Sequence, residues 1–415
     1  MVQKNEYTSK VVEECQICKN PHLESVLFLG YLPPVNELHP IGQQPHEQPS
    51  YPAELLCCSQ CHLVQLGLIV NPKILFPKEY PYTSSTTKIL RDNFAELYDE
   101  CKTIVPLTKD DLIVDIGSND GNLLNNFKDN HKVLGITPEE IGKIAISRGI
   151  PTIIDYFSPD VVNKVISEHG KAKIVTATNV FAHIDDVNEI TELIKKMITP
   201  DGIFISESHY LISLIETLQY DTIYHEHLRY YSLHSLQYLL NKHGFEIIHA
   251  KRIPTHGGSI RVYAAHIGEY DVKPSVKTLL DAEQKMGFTV DRLRQFKNDI
   301  IISKLQLYEL LLTIKKSGKR IYGISAPSRA STLINYTGLD DGIIDAVVEI
   351  KGSHKIGKYI PGTLIPILDE SFIFENQPEF VVIFSWHIAD ELIPKLKEKG
   401  YLGKFIIPLP QPKII

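Results

Sequence analysis

Two Cys-x-x-Cys pairs, Cys15/Cys18 and Cys58/Cys61, constrain this chain more than any other feature of its sequence. A two-residue gap lets both thiolates of one turn face a single ion, and two such turns complete a tetrahedral, all-thiolate zinc site. Cys57 competes with Cys58 as a ligand. A disulfide framework needs an oxidising compartment, and the opening residues MVQKNEYTSKVVEE carry no apolar signal core. Redox chemistry is the other alternative, but it has no use for a second pair. The long spacer implies a small domain wrapped around a metal rather than a compact finger. Four thiolates leave no open coordination position, so the ion is expected to fold the domain rather than do chemistry. Cys101, following the helical pattern LRDNFAELYDE, reads as an ordinary buried thiol.

At 415 residues the chain is long enough for two or three domains. Its 43% apolar and 22% charged residues can bury substantial cores, and the net charge of −7 excludes a strongly basic nucleic-acid binder. No apolar run of about 20 residues suggests a membrane span. The expectation is a cytoplasmic protein without membrane or nucleic-acid partners.

Residues 1–75 form the cysteine region, in which HLVQLGLIV reads as a strand, and FPKEYPYTSSTT leads to a helix near Thr87. From about 107 to 205, strands DLIVDIGS, KVLGIT, KIVTATN and GIFISES alternate with helices NLLNNFKDN, PEEIGKIAISRG and VNEITELIKKMI. That alternation indicates parallel βαβ units. A polar, aromatic, His-rich stretch (209–235) precedes helix LHSLQYLLNKHG and strands FEIIHAKRI and IRVYAAHI. A long helical pattern over 275–317 then leads to strands RIYGIS, IIDAVVEI and FVVIFSW of a second βαβ layer. The predicted class is α/β: a small zinc-binding domain (1–75), a central Rossmann-like domain (76–270) and a C-terminal Rossmann-like domain (271–415).

The first βα turn reads Asp115-Ile116-Gly117-Ser118-Asn119-Asp120-Gly121. A dinucleotide site would use G-x-G-x-x-G. The wider G-x-x-x-G suits S-adenosylmethionine, which has no pyrophosphate to cradle; a purely structural turn is the alternative. The next strand ends at Thr137, where such sites usually offer an acid to the ribose, so ribose contact falls to Thr137, to backbone, or to Glu139/Glu140. Residues 224–227 read Tyr-His-Glu-His, and His256 opens His-Gly-Gly-Ser. Alone, the tetrad fits a surface cluster, a hydrogen-bond network, a metal site or acid–base chemistry.

Taken together these segments resemble the nucleotide-sugar C-methyltransferases that act on 4-keto-deoxysugars. The resemblance spans nearly the whole chain and rests on the two Cys pairs, YPYTSS (80–85), DIGSNDG (115–121), NVFAHIDD (179–186), YHEHLRYYSL (224–233), HGGSIRVY (256–263) and YIPGTLIPI (359–367). It implies S-adenosylmethionine on Asp115, Gly117, Asn119, Asp120, Gly121, Thr137 and Asn179, zinc on the four cysteines, and a nucleotide sugar shared with the C-terminal domain. Methylating a sugar carbon requires loss of a proton α to a ketone, hence a base titrating near neutrality and donors at the enolate oxygen. The resemblance makes His227 that base, Tyr224 a donor to substrate oxygen and Glu226 the group that orients or charges His227. In a straight strand Glu226 and His227 would face opposite ways, so the chain must bend at 224–228. His183 is a secondary candidate, with helix-start packing as its alternative.

For the substrate, His256, Gly257, Gly258 and Ser259 offer close backbone approach and a hydroxyl. Arg261 offers a fork for phosphate, unless alternation turns it to solvent. Tyr80 and Tyr82 suit a lid or are ordinary loop aromatics. In the C-terminal domain the turn from Gly323 to Arg329 places Ser325 and Arg329 at a helix start able to hold an anion. The chain departs from the family there, with Ser328-Arg329 where a lysine is usual. A sugar O-methyltransferase, a zinc-ribbon RNA methyltransferase and a retired structural member are the competing readings. The sequence does not give the oligomeric state, and a monomer is compatible with it.

Overall fold

Strands Leu112–Ile116 and Ala172–Thr178 are buried along almost their whole length, as strands covered by helices on both faces must be. They form the centre of a seven-stranded sheet in this computed structural model, which describes residues 9–43, 47–76, 85, 87–287 and 289–415. The order across the sheet is Phe245–Ile253, Ser259–His266, Ile198–His209, Ala172–Thr178, Leu112–Ile116, Lys132–Thr137, Thr152–Ile154. Strand Ser259–His266 alone runs against the others, being antiparallel to both its neighbours. Strand order reverses between Leu112–Ile116 and Ala172–Thr178, opening a crevice at their C-terminal ends, where ligands of α/β sheets bind.

A second sheet, Ile367–Asp369, Ala346–Glu349, Ile321–Ile324, Phe380–Ile383, Lys404–Ile407, Lys413–Ile414, is parallel except for its last strand. Its own reversal lies between Ile321–Ile324 and Phe380–Ile383. The N-terminal part is an antiparallel sheet of Leu23–Leu32, Tyr51–Cys58 and Val64–Leu66, completed by a strand from far along the chain, Arg229–Tyr230. Among the described residues no helix is long and apolar enough to cross a membrane.

Several sequence-level elements change on folding. NLLNNFKDN contains only a single 3-10 turn at Leu124–Asn126, its asparagines bonding back to nearby carbonyls, as Asn126 Nδ2 does to Asn122 and Leu123. The long helical pattern splits into Pro274–Met286 and Val290–Lys316, because Gly287 takes the left-handed conformation that ends a helix and Thr289 caps the next. The first of these helices belongs with the central body: Glu283 accepts from the Leu233 and His234 amides at the start of helix Leu233–Lys242 and from Tyr210 Oη. HLVQLGLIV is two short strands, Val64–Leu66 and Leu68–Ile69, and strand Thr152–Ile154 and helix Pro159–His169 have no counterpart in the sequence reading.

Candidate active site

The four cysteines converge. All their sulfurs lie within 4.8 Å of one another, with Cys15 and Cys61 at 3.4 Å and Cys18 and Cys58 at 3.5 Å. Tetrahedral zinc with bonds of about 2.3 Å places thiolates about 3.8 Å apart, so the cluster fits the ion. Without an ion these thiols titrate apart: the hydrogen bond shared with Cys61 lowers Cys15, burial raises Cys18, and the same Cys15 contact raises Cys61, so a full set of thiolates here needs a counter-charge such as zinc. Several thiolates this close are stable together only around a cation. Cys57 is buried beside the site but outside the cluster, with its thiol pushed up to about 12 by burial. Cys101 is a buried thiol on helix Lys88–Ile104.

At the crevice of the central sheet, Gly117 (φ +73°) packs so tightly that a Cβ would sit 2.3 Å from Val180 Cγ2. Gly121 packs likewise on Ile150 and Ala145. The glycines are therefore required by the protein's own packing, whatever binds beside them. Asp115, wholly buried, accepts from Thr176 Oγ1 (2.6 Å), and burial lifts its carboxyl to about 7. Asp120 is tied to Arg148 (3.0 Å). Asn119 and Asn179 both take left-handed backbone, and Asn179 Oδ1 and Ser118 Oγ are buried without a partner. Asn179, just past the end of strand Ala172–Thr178, thus offers an orphaned polar atom that fits a polar cofactor, whereas Ser118 Oγ is turned toward Gly135 of the neighbouring strand. Thr137 Oγ1 donates to Glu139 (2.9 Å), which brings a carboxylate to the end of strand Lys132–Thr137, while Glu140 pairs with Lys143 on the surface.

Beyond the same strand ends the chain turns at Tyr224–His227, the His227 amide donating to the Tyr224 carbonyl (3.0 Å). His227 packs against Tyr224 (ring centroids 4.2 Å), His209 (4.8 Å) and His183 (5.0 Å), and His209 in turn faces His256 (5.5 Å). Nδ1 of His227 meets the carbonyl of Thr222 at 2.8 Å. A carbonyl only accepts, so Nδ1 carries the hydrogen and Nε2 the lone pair. Burial, reinforced by His183, His256 and Arg329, holds His227 well below its usual value, and burial lowers His183 and His256 to about 4. The cluster is neutral at pH 7. Burial above all, with Glu226 adding to it, keeps the Tyr224 phenol well above its usual value, so it remains a donor.

Two expected roles are corrected. Thr222, not Glu226, fixes the His227 ring; the Glu226 carboxylate accepts from Asn36 Nδ2 (2.7 Å). Arg261 contacts neither phosphate nor solvent: it is fully buried and spent on Glu207 (2.6 Å), Asn93 (2.7 Å) and Glu100 (3.0 Å), because both faces of its strand are covered. Ser259 is also satisfied internally, donating to the Thr255 carbonyl (3.0 Å). Gly257 and Gly258 line the turn that carries His256, and the Gly257 carbonyl accepts from Gln219. Tyr80 and Tyr82 lie outside the described residues.

From the second sheet, the helix start at Ser328–Thr337 brings Arg329 to this cluster. Its Nε pairs with buried Asp221 (3.2 Å), Nη1 donates to His387 Nδ1 (2.7 Å) and Nη2 to Gln219 (3.1 Å). Trp386 Nε1 also donates to Asp221 (2.8 Å). Ser325, in left-handed backbone, opens the turn and hydrogen-bonds Val348. Lys355 donates to the Ala326 carbonyl (2.6 Å), so a lysine does reach this turn, from a different segment than the one the family uses. Sequence reading missed His209, Thr222, Asp221, Asn36 and His387. The run of histidines from 209 was the one available signal for the first; the others are set by contacts between distant segments.

Comparison with known proteins matches three consecutive family models: a zinc binding domain over residues 15–76, a methyltransferase domain over 89–250 and a C-methyltransferase C-terminal domain over 254–410. The chain is 31% identical over 411 residues to the C-methyltransferase NovU of Streptomyces niveus, covering 97% of each protein. Among solved structures, magnesium protoporphyrin IX methyltransferase of Synechocystis with bound SAH shares 14% identity over 42% of this chain and 81% of that one, at a TM-score of 0.33. An S-adenosylmethionine-dependent methyltransferase of Clostridium acetobutylicum shares 13% over 44% and 94%, also at 0.33.

Proposed function

Since the chain belongs to the C-methyltransferase family and uses S-adenosylmethionine, we propose that it methylates a nucleotide-linked 4-keto-deoxysugar at the carbon beside the ketone. One observation supports this most: a buried, neutral His227 whose Nδ1–H is engaged by Thr222, leaving Nε2 as a lone-pair base. When bound, S-adenosylmethionine supplies an electrophilic methyl group on sulfur.

His227 takes the proton α to the ketone, the C–H electron pair becomes the enolate, and its charge settles on the ketone oxygen. The Tyr224 hydroxyl donates to that oxygen, and Arg329 stands near enough to make the potential around it more positive. Imidazolium is disfavoured in the empty pocket, but the enolate provides the counter-charge that stabilises it. The enolate carbon would be the nucleophile for the methyl that bound S-adenosylmethionine would supply, the C–S bonding pair leaving on the sulfur of S-adenosylhomocysteine, and the proton on His227 returns to solvent. Glu139 with Thr137 and Asn179 would hold the cofactor, and the helix start at Arg329 with Lys355 would face the nucleotide. In this reading residues 1–75 hold zinc, 76–270 the cofactor, and 271–415 share the nucleotide sugar. In this reading the enzyme acts in the cytoplasm. The test is mass spectrometry of products from a panel of 4-keto nucleotide sugars in deuterated water. Solvent deuterium entering the carbon beside the ketone and a new methyl at that carbon are expected; a methyl on oxygen without exchange overturns the reading.

A further inference from the structure

Strand Arg229–Tyr230 begins two residues after His227, yet among the described residues the strand it pairs with is Val64–Leu66 of the N-terminal sheet, with Arg229 opposite Gln65 and Tyr230 opposite Val64. Val64–Leu66 also pairs with Tyr51–Cys58, of which Cys58 is the last residue, and Cys61 lies in the connection between the two. The metal knuckle is thus the turn of the hairpin on whose free edge the His227 segment lies. Leu66 N donates to the Leu228 carbonyl (2.9 Å), and His225 Nε2 reaches the Pro52 carbonyl (3.2 Å) from the other side of the turn.

Gln65 joins the two ends of this arrangement. It is fully buried; its Oε1 accepts from Gln16 N (2.9 Å) and its Nε2 donates to the Glu14 carbonyl (3.3 Å), both within the first cysteine knuckle. Arg229, opposite it, donates to the carbonyls of Phe181 (3.2 Å), Ile184 (2.6 Å) and Asp185, the loop that carries His183. An extended segment laid against an existing sheet edge takes its register from that edge.

We infer that the zinc-bound hairpin is the template that sets the position of the 224–230 turn, and that Gln65 is the positioning residue through which the cysteine knuckle acts on catalysis. The inference rests on the reading of His227 as the base. A closed metal site distant from the reaction then has a defined role in it: loss of order in the knuckle frees the edge, and the turn loses its register while the cofactor crevice, built on other strands, keeps its own.

The test uses the full chain carrying Gln65→Leu, which keeps bulk and removes both hydrogen bonds, and Gln65→Glu, which keeps the acceptor for Gln16. Zinc content, S-adenosylhomocysteine affinity, steady-state constants and amide hydrogen exchange over 222–231 and 112–116 are measured. In Gln65→Leu, with zinc retained, amides of 227–231 should exchange roughly tenfold or more faster and kcat should fall by a similar factor, the scale of one or two buried hydrogen bonds. S-adenosylhomocysteine affinity, substrate KM and protection over 112–116 should not change, and Gln65→Glu should recover part of kcat. Should Gln65→Leu fail to fold, Gln65→Glu alone, intermediate in both protection and kcat, carries the same readouts. Unchanged protection over 227–231, undiminished kcat despite lost protection, or equal losses of kcat and cofactor affinity overturn the inference. Full activity of His227→Ala would instead reject the base assignment and leave the exchange result standing.

Discussion

The Nδ1–H of His227 donates to the main-chain carbonyl of Thr222 at 2.8 Å, five residues upstream in the same turn. This contact decides the tautomer without any carboxylate. A carboxylate partner would stabilise imidazolium and raise the pKa; a carbonyl fixes the ring while leaving burial free to depress it. With ordinary imidazole titration moved to lower pH, the base is ready at neutrality rather than half-protonated.

Replacing His227 by Ala should lower the rate of methyl transfer about 10²–10⁴-fold, the usual loss for a positioned general base. S-adenosylhomocysteine should still bind, because the crevice at Gly117 and Asn179 does not involve the ring. Exchange of the substrate proton with solvent, followed by NMR, should fall together with transfer.

The pH dependence follows from the same site. The base acts when neutral, and the folded pKa of His227 lies well below 6.5 because of burial and of His183, His256 and Arg329 around it. His209, also lowered, adds no positive charge near neutrality. kcat/KM should therefore be flat from pH 6.5 upward through neutrality and fall only as pH drops through the depressed value. A midpoint at or above 6.5 would show that another group is the base.

Asp221→Ala should remove the buried partner of Arg329 and of Trp386. Breaking a buried ion pair from one side costs about 3–5 kcal/mol, because the remaining charge stays desolvated. Urea unfolding monitored by Trp386 fluorescence should show the loss, the chain having one tryptophan.

Gly117→Ala should destabilise the protein even without cofactor. Its Cβ would meet Val180 Cγ2 at 2.3 Å, and its left-handed backbone costs a non-glycine residue about 1–2 kcal/mol. Differential scanning of the cofactor-free protein checks this, and adding Val180→Ala should return part of the loss.

Removing zinc by replacing Cys58 with Ser should leave three thiolates and lose the metal, with the N-terminal sheet and the core it shares with the central domain loosening together. Cys101→Ala should keep full zinc content. Elemental analysis of the two purified variants separates them.

What could be read in the sequence was whatever a short segment specifies by itself. The Cys pairs announced their metal site through spacing, and the strands around DLIVDIG and KIVTAT through β-branched runs punctuated by helices. The turn at 224–228 was required as soon as Glu226 and His227 were both assigned work. The three-part organisation came from the change of pattern along the chain and from the family resemblance.

The tertiary structure alone decided who serves whom. Glu226 seemed placed to orient its neighbour, but adjacency in sequence says nothing about which carbonyl lies opposite a ring, and Thr222 holds His227 while Asn36 takes Glu226. Arg261 read as a phosphate fork because alternation assumes one solvated face, whereas this sheet is covered on both and binds the guanidinium to Glu207 and Glu100. The pairing of Arg229 with Gln65 joins residues 164 positions apart, and Asp221 with Arg329 joins two sheets. Local sequence fixes periodicity and turn chemistry, which are properties of neighbours; contacts across sheet edges and domain faces depend on how separate elements dock, and only the folded chain specifies that.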